Sequence, residues 1–219
     1  RILVDGLMEH VAPPTEKDWA YMRSIPFDEE NLKAKFGITR FSKDLHGLDL
    51  LKKHLYEPTC TICGLESGYI GEGTKTVLPA EASAKVDFRL VPDLTPGLVE
   101  RVLREHLDRR GFADVEIIPS AGMMPAKSPL DAPIVEKAVE TAREVYGVEP
   151  IVYPLMAGSG PMYGLCQGLG LPAVAAGVAN TRSNEHAPDE NIRLADYFRG
   201  LKFVGHLISA LGADGDEKS

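Results

Sequence analysis

The strongest constraint on the fold is a strict alternation of apolar and polar residues over positions 81–91. The apolar side chains point to one side of an extended chain, and the polar ones, Arg89 among them, point to the other. This period of two residues is typical of a β-strand with one buried face. Thr95 and Pro96 then give the cap and first-turn signals of a helix with one apolar face, which ends at Gly111. The sequence therefore predicts a half-buried strand followed by an amphipathic helix.

Residues 58–119 extend this pattern to strand, strand, helix, strand, with the first strand at 59–65 and the last at 115–118. This order matches the last four of the six elements of a β-α-β-β-α-β sandwich, the ferredoxin-like fold. Residues 1–57 predict short helices and no obvious strand and helix that would complete it. We therefore expect residues 1–121 to form an incomplete α+β domain whose first strand and helix are missing.

From residue 122 onward the pattern becomes that of an α/β domain, in which helices and strands alternate. The predicted elements are a helix over 132–146, a short strand over 151–153, a helix after 158–161, a buried strand over 171–176 and a long helix over 192–211. The last helix has apolar residues at helical spacing, which are expected to face inward. Residues 122–219 are thus predicted to be the C-terminal segment of an α/β domain.

The composition excludes several classes of partner. The net charge of -8, with acidic and basic residues interspersed, argues against nucleic acid, because a phosphate backbone needs clustered Lys and Arg. No apolar run approaches the roughly 20 residues of a membrane-spanning helix, so no membrane partner is expected. Three cysteines, an odd number, are typical of a reduced protein and favour a cytoplasmic location. The lack of a G-x-S-x-G motif argues against a serine hydrolase.

His186 is the first candidate for chemistry. It lies in the stretch N-E-H-A-P-D-E at 184–190, after the predicted strand at 171–176 and before the final helix. Ligands of open α/β sheets bind at the C-terminal ends of strands, and a neutral imidazole held there can bind zinc. The alternative is an exposed histidine in a helix-capping loop. A single histidine does not make a zinc site, because zinc takes at least three protein ligands.

Two further candidates suit a carboxylate. Gly158, Ser159 and Gly160 precede a predicted helix, where backbone N–H groups and the helix dipole favour an anion. The alternative is a turn that only needs glycine. Arg89, considered together with Thr76, offers a guanidinium fork that fits a carboxylate. The alternative is an ordinary cross-strand ion pair.

Several stretches together resemble one family of two-zinc peptidases. They are S-G-Y-I-G-E-G-T-K-T-V-L-P at 67–79, A-E-A-S-A-K-V-D-F-R-L-V-P at 80–92, V-A-P-P-T-E-K-D at 11–18, I-P-F-D-E-E at 25–30, A-G-S-G-P at 157–161 and E-H-A-P-D-E-N-I at 185–192. They are similar to the carnosinase-like and cytosolic non-specific dipeptidases, a family that also includes succinyl-diaminopimelate desuccinylase and glutamate carboxypeptidase. The resemblance implies the C-terminal portion of such an enzyme: part of the lid (dimerisation) domain, then the end of the α/β catalytic domain.

The resemblance also implies roles for individual residues. His186 matches the last metal ligand of the family. Thr76 and Arg89 match lid residues that reach the substrate, and Ser159, in its glycine-rich loop, matches the residue that binds the substrate's C-terminal carboxylate. The implied reaction is hydrolysis of a dipeptide, or of a related amide bond next to a free C-terminal carboxylate. A water activated by two zinc ions would attack, with Mn or Co as other possible metals.

What the chain lacks also bears on its activity. The family's other metal ligands and its general base cannot be placed in residues 1–57, so they are expected upstream of Arg1 and the chain alone is expected to be inactive. The resemblance further implies a small peptide or acylated amino acid as substrate and a homodimer formed through the lid. The alternatives are an amidohydrolase of N-acyl amino acids or succinyl-diaminopimelate, or a non-catalytic dimerisation module.

Overall fold

The computed structural model of the chain describes residues 2–180 and 182–216 and has a mixed α/β composition. Within these residues the helices are α1 (Glu16–Ser24), α2 (Glu29–Phe36), α3 (Gly47–Tyr56), α4 (Pro96–Arg109), α5 (Pro133–Tyr146), α6 (Met162–Leu165) and α7 (Leu194–Asp216), with short 3-10 helices at Leu7–His10, Ser42–Asp44 and Gln167–Leu169. The strands are β1 (Thr59–Ser67) and β2 (Ala82–Arg89). The predicted helices are therefore present, and two of the predicted strands are confirmed.

The described residues form two compact units. Unit 1 comprises those of 1–14, 29–126 and 157–161, and unit 2 comprises those of 15–28, 127–156 and 162–219. The predicted division of the chain into domains at 1–121 and 122–219 stays a prediction.

The sheet of unit 1 is an antiparallel pair of strands, β1 and β2. Its register places Thr59 opposite Arg89 and Ser67 opposite Ala82, with an irregularity between Ile62 and Gly64. The prediction of a half-buried β2 is wrong for most of its length, because side chains on both faces are exposed from Ala82 to Val86. No other described element covers the ribbon there, and only its last residues approach the core of the unit.

The core of unit 1 lies beside the end of β2. It consists of buried residues from the 3-10 helix, the strand-to-helix turn and α4, with Phe88 and Leu90 packed against it: Leu7, Val91, Leu94, Val99 and Val102. The Thr95 side chain accepts a hydrogen bond from the Leu98 N–H, so the predicted cap of α4 is confirmed. This cap and core fix the place where β2 ends.

A charged clamp fastens the N-terminal segment to the end of α4. The Asp5 carboxylate accepts hydrogen bonds from Nε and Nη2 of Arg110, and the Asp5 N–H donates to Nδ1 of His106 at 3.1 Å. The hydrogen bond from Arg110 holds the pKa of Asp5 below its usual value. A cation at a helix C-terminus also interacts favourably with the helix dipole, so the clamp stabilises α4 as well as the N-terminal segment.

The strand predicted over 115–118 does not form. The chain there has no regular secondary structure, and Nη1 and Nη2 of Arg104 donate hydrogen bonds to the carbonyl oxygens of Val115 and Phe112. These carbonyl groups therefore bind a side chain of α4 where a neighbouring strand would otherwise pair with them.

Unit 2 is built around the packing of α5 on α7. The rings of Tyr146 and Phe203 lie 6.0 Å apart, and Phe203 is buried. Helix α5 ends at Gly147, which takes the left-handed conformation typical of a C-terminal glycine. At the other end of the chain, Thr15 and Asp18 form a reciprocal capping box at the start of α1.

The strands predicted over 151–153 and 171–176 are also absent from the described structure. Both segments lack regular secondary structure. The N–H of Ala173 donates to the Oγ of Ser128 at 2.7 Å, so a side chain replaces the partner strand at that point. A strand needs a neighbour, and unit 2 offers none to either segment among its described residues.

Helix α7 differs from its prediction in the burial of its apolar face. The face was expected to point inward, yet all six of its large apolar side chains are exposed: Leu194, Phe198, Leu201, Val204, Ile208 and Leu211. Phe203, which faces α5, is buried. No described helix, α7 included, is long and apolar enough to cross a membrane.

Candidate functional site

Arg89 stands at the C-terminal end of β2, on the same face of the strand as Asp87. Its Nε donates a hydrogen bond to Oδ2 of Asp87 at 2.8 Å. The Arg89 side chain is 62% exposed, and that of Asp87 is 45% exposed. Thr59 is the residue opposite Arg89 on β1, so the ion pair of Arg89 lies within one strand and is not the cross-strand pair given as the alternative.

Ser159 meets Arg89 across a long stretch of sequence. Nη1 of Arg89 donates a hydrogen bond to the Oγ of Ser159 at 2.7 Å, although the two residues are 70 positions apart. Both belong to unit 1, because residues 157–161 cluster with the strand pair. The structure thus brings together two residues that were separately predicted to bind a carboxylate, and both are exposed.

Gly158 and Gly160 flank Ser159, and their part in binding a carboxylate stays a prediction, as does the alternative of a turn that only needs glycine. The helix expected after the loop is one turn long, Met162–Leu165, so its dipole adds little.

Thr76 lies in the exposed segment 68–81 that joins β1 to β2. The Val77 N–H donates to the carbonyl of Lys75 at 3.0 Å, which places Thr76 at the centre of a three-residue turn. Among the described hydrogen bonds, none joins Thr76 to Arg89 or Ser159. The role of Thr76 in binding substrate therefore stays a prediction.

His186 lies in a loop, residues 182–191 (the His186 loop), whose backbone is unusual. Asn184, His186 and Asp189 all have positive φ, at 52°, 61° and 61°. Such residues are uncommon outside glycine, and several in one short loop mark a conformation that the surroundings impose. The imidazole is exposed. The strand expected before this loop is absent, so the position of His186 comes from the loop's own bonds.

Ser183 and Asn191 hold the His186 loop closed. Ser183 is 2% exposed, its Oγ accepts from the Asn180 N–H at 2.9 Å, and its carbonyl accepts from the Asn191 N–H at 2.9 Å. The Asn191 side chain donates to the carbonyl groups of Arg182 and Asp189. The loop is thus fastened at both ends by neutral hydrogen bonds.

The described residues do not supply a metal site by themselves. Across 2–180 and 182–216, no group of three or more His, Cys, Asp and Glu residues is arranged to hold a metal ion. His186 therefore offers at most one ligand, and a zinc site takes three or four. The two-zinc expectation does not fit the described residues alone, and no reaction step is assigned to them.

Three residues that shape these sites were not singled out from the sequence. Asp87 was visible as a polar neighbour of Arg89 at i-2 on the same strand face, which is a usable signal. The sequence signal for Ser183 and Asn191 is weaker: they lie in a run rich in Asn and Asp, which is typical of turns. Nothing in the local sequence shows that the Ser183 hydroxyl is buried.

The family of the chain follows from comparison with known proteins. The model of Peptidase family M20/M25/M40 matches residues 7–210. The chain belongs to this family. The earlier resemblance to carnosinase-like dipeptidases is thereby confirmed.

Individual relatives agree with this placement. Beta-Ala-His dipeptidase of Rattus norvegicus is 28% identical over 96% of this chain and 44% of its own length. Cys-Gly metallodipeptidase DUG1 of Saccharomyces cerevisiae is 28% identical over 95% of the chain and 44% of its own length. The structure of the M20 family metallo-carboxypeptidase Sso-CP2 from Sulfolobus solfataricus matches with a TM-score of 0.84 and 35% identity, covering 94% of this chain and 47% of that one. The chain therefore spans about half the length of these relatives.

Proposed function

We propose that this chain is the carboxylate-binding part of a metal-dependent peptidase that hydrolyses dipeptides, or related amide bonds next to a free C-terminal carboxylate. Membership of the M20/M25/M40 family supports the peptidase class. The names of the similar proteins support the substrate class, since dipeptides and carboxypeptidase substrates share a free C-terminal carboxylate.

The observation that carries the proposal is the hydrogen bond between Arg89 and Ser159. A guanidinium has five N–H donors, and the described bonds use two of them. The Ser159 oxygen accepts from Arg89, so its own hydroxyl proton remains to be donated elsewhere. A cation and a hydroxyl donor side by side at an exposed position form a site for a carboxylate.

The metal chemistry is proposed to involve residues outside the described chain. A pair of divalent ions, zinc in the first instance, would supply an activated water, and His186 would be one ligand. The other ligands and the general base would come from polypeptide outside residues 1–219, so the isolated chain is expected to hydrolyse nothing. Metal-dependent dipeptidase activity of the purified 219-residue chain would contradict this assignment. A homodimer through residues 1–121 and a cytoplasmic location remain predictions.

The carboxylate role is tested by binding of two matched ligands, glycylglycine and its C-terminal amide, to the purified chain. Arg89→Ala is expected to weaken glycylglycine binding by roughly tenfold or more, because a hydrogen bond to a charged group is lost. Binding of the amide should not change. Two-dimensional NMR titration measures both dissociation constants, and Arg101→Ala, which removes an exposed arginine of α4, is the control.

The outcome that contradicts the proposal is equal binding of acid and amide by the wild-type chain, or an unchanged affinity in Arg89→Ala. In a protein that also contains the missing ligands, the same substitution should mainly impair substrates with a free carboxylate. A panel of dipeptides, N-acyl amino acids and N-succinyl-diaminopimelate would separate a dipeptidase from an amidohydrolase.

A further inference from the structure

Asp87 stands between two cations on one face of β2, and it bonds to only one of them in the described structure. Lys85 precedes it on that face, and the Lys85 stem lies over Gly64 of the neighbouring strand. The carboxylate of Asp87 accepts from Nε of Arg89 at 2.8 Å. The strand thus carries its acidic group directly against the guanidinium that reaches Ser159.

The two bonds of Arg89 leave from different nitrogens of one rigid plane. Nε donates to Asp87 and Nη1 donates to Ser159 at 2.7 Å. A long arginine side chain that is 62% exposed would otherwise sample many rotamers. Because a guanidinium is planar, two anchors on separate nitrogens restrict rotation of that plane about the side-chain axis. Arg89 therefore holds its remaining N–H groups in one orientation before a ligand arrives.

We propose that Asp87 is a positioning residue for Arg89: its carboxylate fixes the guanidinium so that Arg89 and Ser159 together bind the C-terminal carboxylate of a peptide. This inference rests on the proposed function of Arg89. Asp87 itself does not touch the substrate. Preorganisation of this kind raises affinity by removing part of the ordering cost of binding.

The proposal makes a prediction of opposite sign to simple electrostatics. Removal of the Asp87 charge makes the surroundings of Arg89 more positive, so charge alone predicts tighter binding of an anionic peptide. Loss of positioning predicts weaker binding. Asp87→Ala is expected to weaken glycylglycine binding by about threefold to fivefold, the upper part of the range for one exposed charged pair. Asp87→Glu, which keeps the acceptor, should recover at least part of the affinity.

A second readout follows Arg89 directly in the 219-residue chain. The Nε–H proton of Arg89 should exchange with water more slowly than that of an arginine without an acceptor, because exchange requires the bond to Asp87 to open. Nitrogen-15 NMR of the guanidinium groups should show faster exchange in Asp87→Ala and slow exchange again in Asp87→Glu. Glu81→Gln removes the same unit of charge just before β2 and is the control: both its exchange rate and its peptide affinity should match the wild type within about twofold.

The possible outcomes decide between the claims. Weaker binding and faster exchange in Asp87→Ala, both restored in Asp87→Glu, support the positioning role. Unchanged or tighter binding in Asp87→Ala overturns it, and so does an unchanged Nε–H exchange rate. If the wild-type chain shows no preference for glycylglycine over its amide, the proposed function of Arg89 fails by itself. The exchange measurement then still shows whether Asp87 orients the guanidinium.

Discussion

Two loop serines, Ser159 and Ser183, show how differently one side chain is used in the two units. Ser159 is exposed, and its partner is the charged side chain of Arg89. Ser183 is 2% exposed, and its hydroxyl accepts from the backbone N–H of Asn180. The Ser159 hydroxyl is accessible to a ligand, whereas the Ser183 hydroxyl is buried and bonds to the backbone of its own loop.

The difference extends to what holds each candidate site in place. The Arg89–Ser159 pair depends on charged and polar side chains in contact with water, which contribute little to stability. The His186 loop depends on neutral hydrogen bonds to a buried group, which cost free energy if they break and which hold the positive-φ residues of the loop in place. Substitutions should therefore change binding at the pair and stability at the loop.

The largest effect is expected at Gly200, where α7 approaches the segment that leads into the His186 loop. A side-chain carbon at Gly200 would overlap Cγ1 of Val178, so Gly200→Ala should lower the free energy of unfolding by about 1–3 kcal/mol. A side-chain carbon added at Gly205, on the same helix, would have no other atom within 4 Å. Gly205→Ala should raise the free energy of unfolding by about 0.5–1 kcal/mol, since alanine is the better helix former.

Urea unfolding measured by circular dichroism gives both values. The two alanine variants should shift the midpoint in opposite directions. A shift in the same direction for both would mean that α7 is not packed against Val178 as described.

An intermediate effect is expected from truncation of the two serines. Ser183→Ala leaves the part-buried N–H of Asn180 without its acceptor and should cost about 1 kcal/mol of stability. Ser159→Ala should change stability by less than about 0.5 kcal/mol, because its partner is exposed to water. Glycylglycine affinity should show the reverse, with loss only in Ser159→Ala. If urea unfolding showed equal losses of stability for Ser183→Ala and Ser159→Ala, the two serines would not differ in their structural role as described.

The smallest effect is expected from salt. Between roughly 0.01 M and 1 M salt the screening length falls from about 30 Å to about 3 Å, which weakens exposed ion pairs. The Nε–H exchange of Arg89 should become faster over this range, while hydrogen exchange at the Asn191 N–H, bonded to Ser183, should stay constant. An Asn191 N–H as sensitive to salt as the Arg89 side chain would contradict the neutral character assigned to the loop.

Much of the helical structure could be predicted, because helix signals are local. The Thr95 cap with Pro96, the start of α1 after Pro13 and Pro14, and the stop at Gly147 all lie within a turn of the boundary that they set. The strand at 81–91 was also predictable, since its alternation is unbroken. Its burial was not, because a covering layer is a property of distant residues.

The strands that were wrongly predicted share one physical cause. Residues 115–118, 151–153 and 171–176 have apolar composition suited to strands, but a strand is completed by its neighbour. Arg104 and Ser128 supply side-chain partners to backbone groups in two of these segments. Sequence periodicity carries no information about which partner is present.

The candidate site was predictable in its residue types and only partly in its arrangement. Arg89 and Ser159 were each predicted as carboxylate-binding residues, and the structure joins them across 70 positions. His186 was placed in the correct loop, but for a reason that the structure does not bear out, because no strand precedes it. The loop is set by Ser183 and Asn191, whose bonds form only when that part of the chain closes on itself.

The uncovered face of α7 has a practical consequence for the chain in solution. Six large apolar side chains form an exposed apolar stripe along α7, and Leu201, near its middle, is 53% exposed. At neutral pH the surplus of eight negative charges keeps copies of the chain apart. In acid the carboxylates are protonated, so this repulsion weakens while the apolar side chains of α7 stay exposed. The solubility of the chain should therefore fall in mildly acidic buffer before its helices unfold.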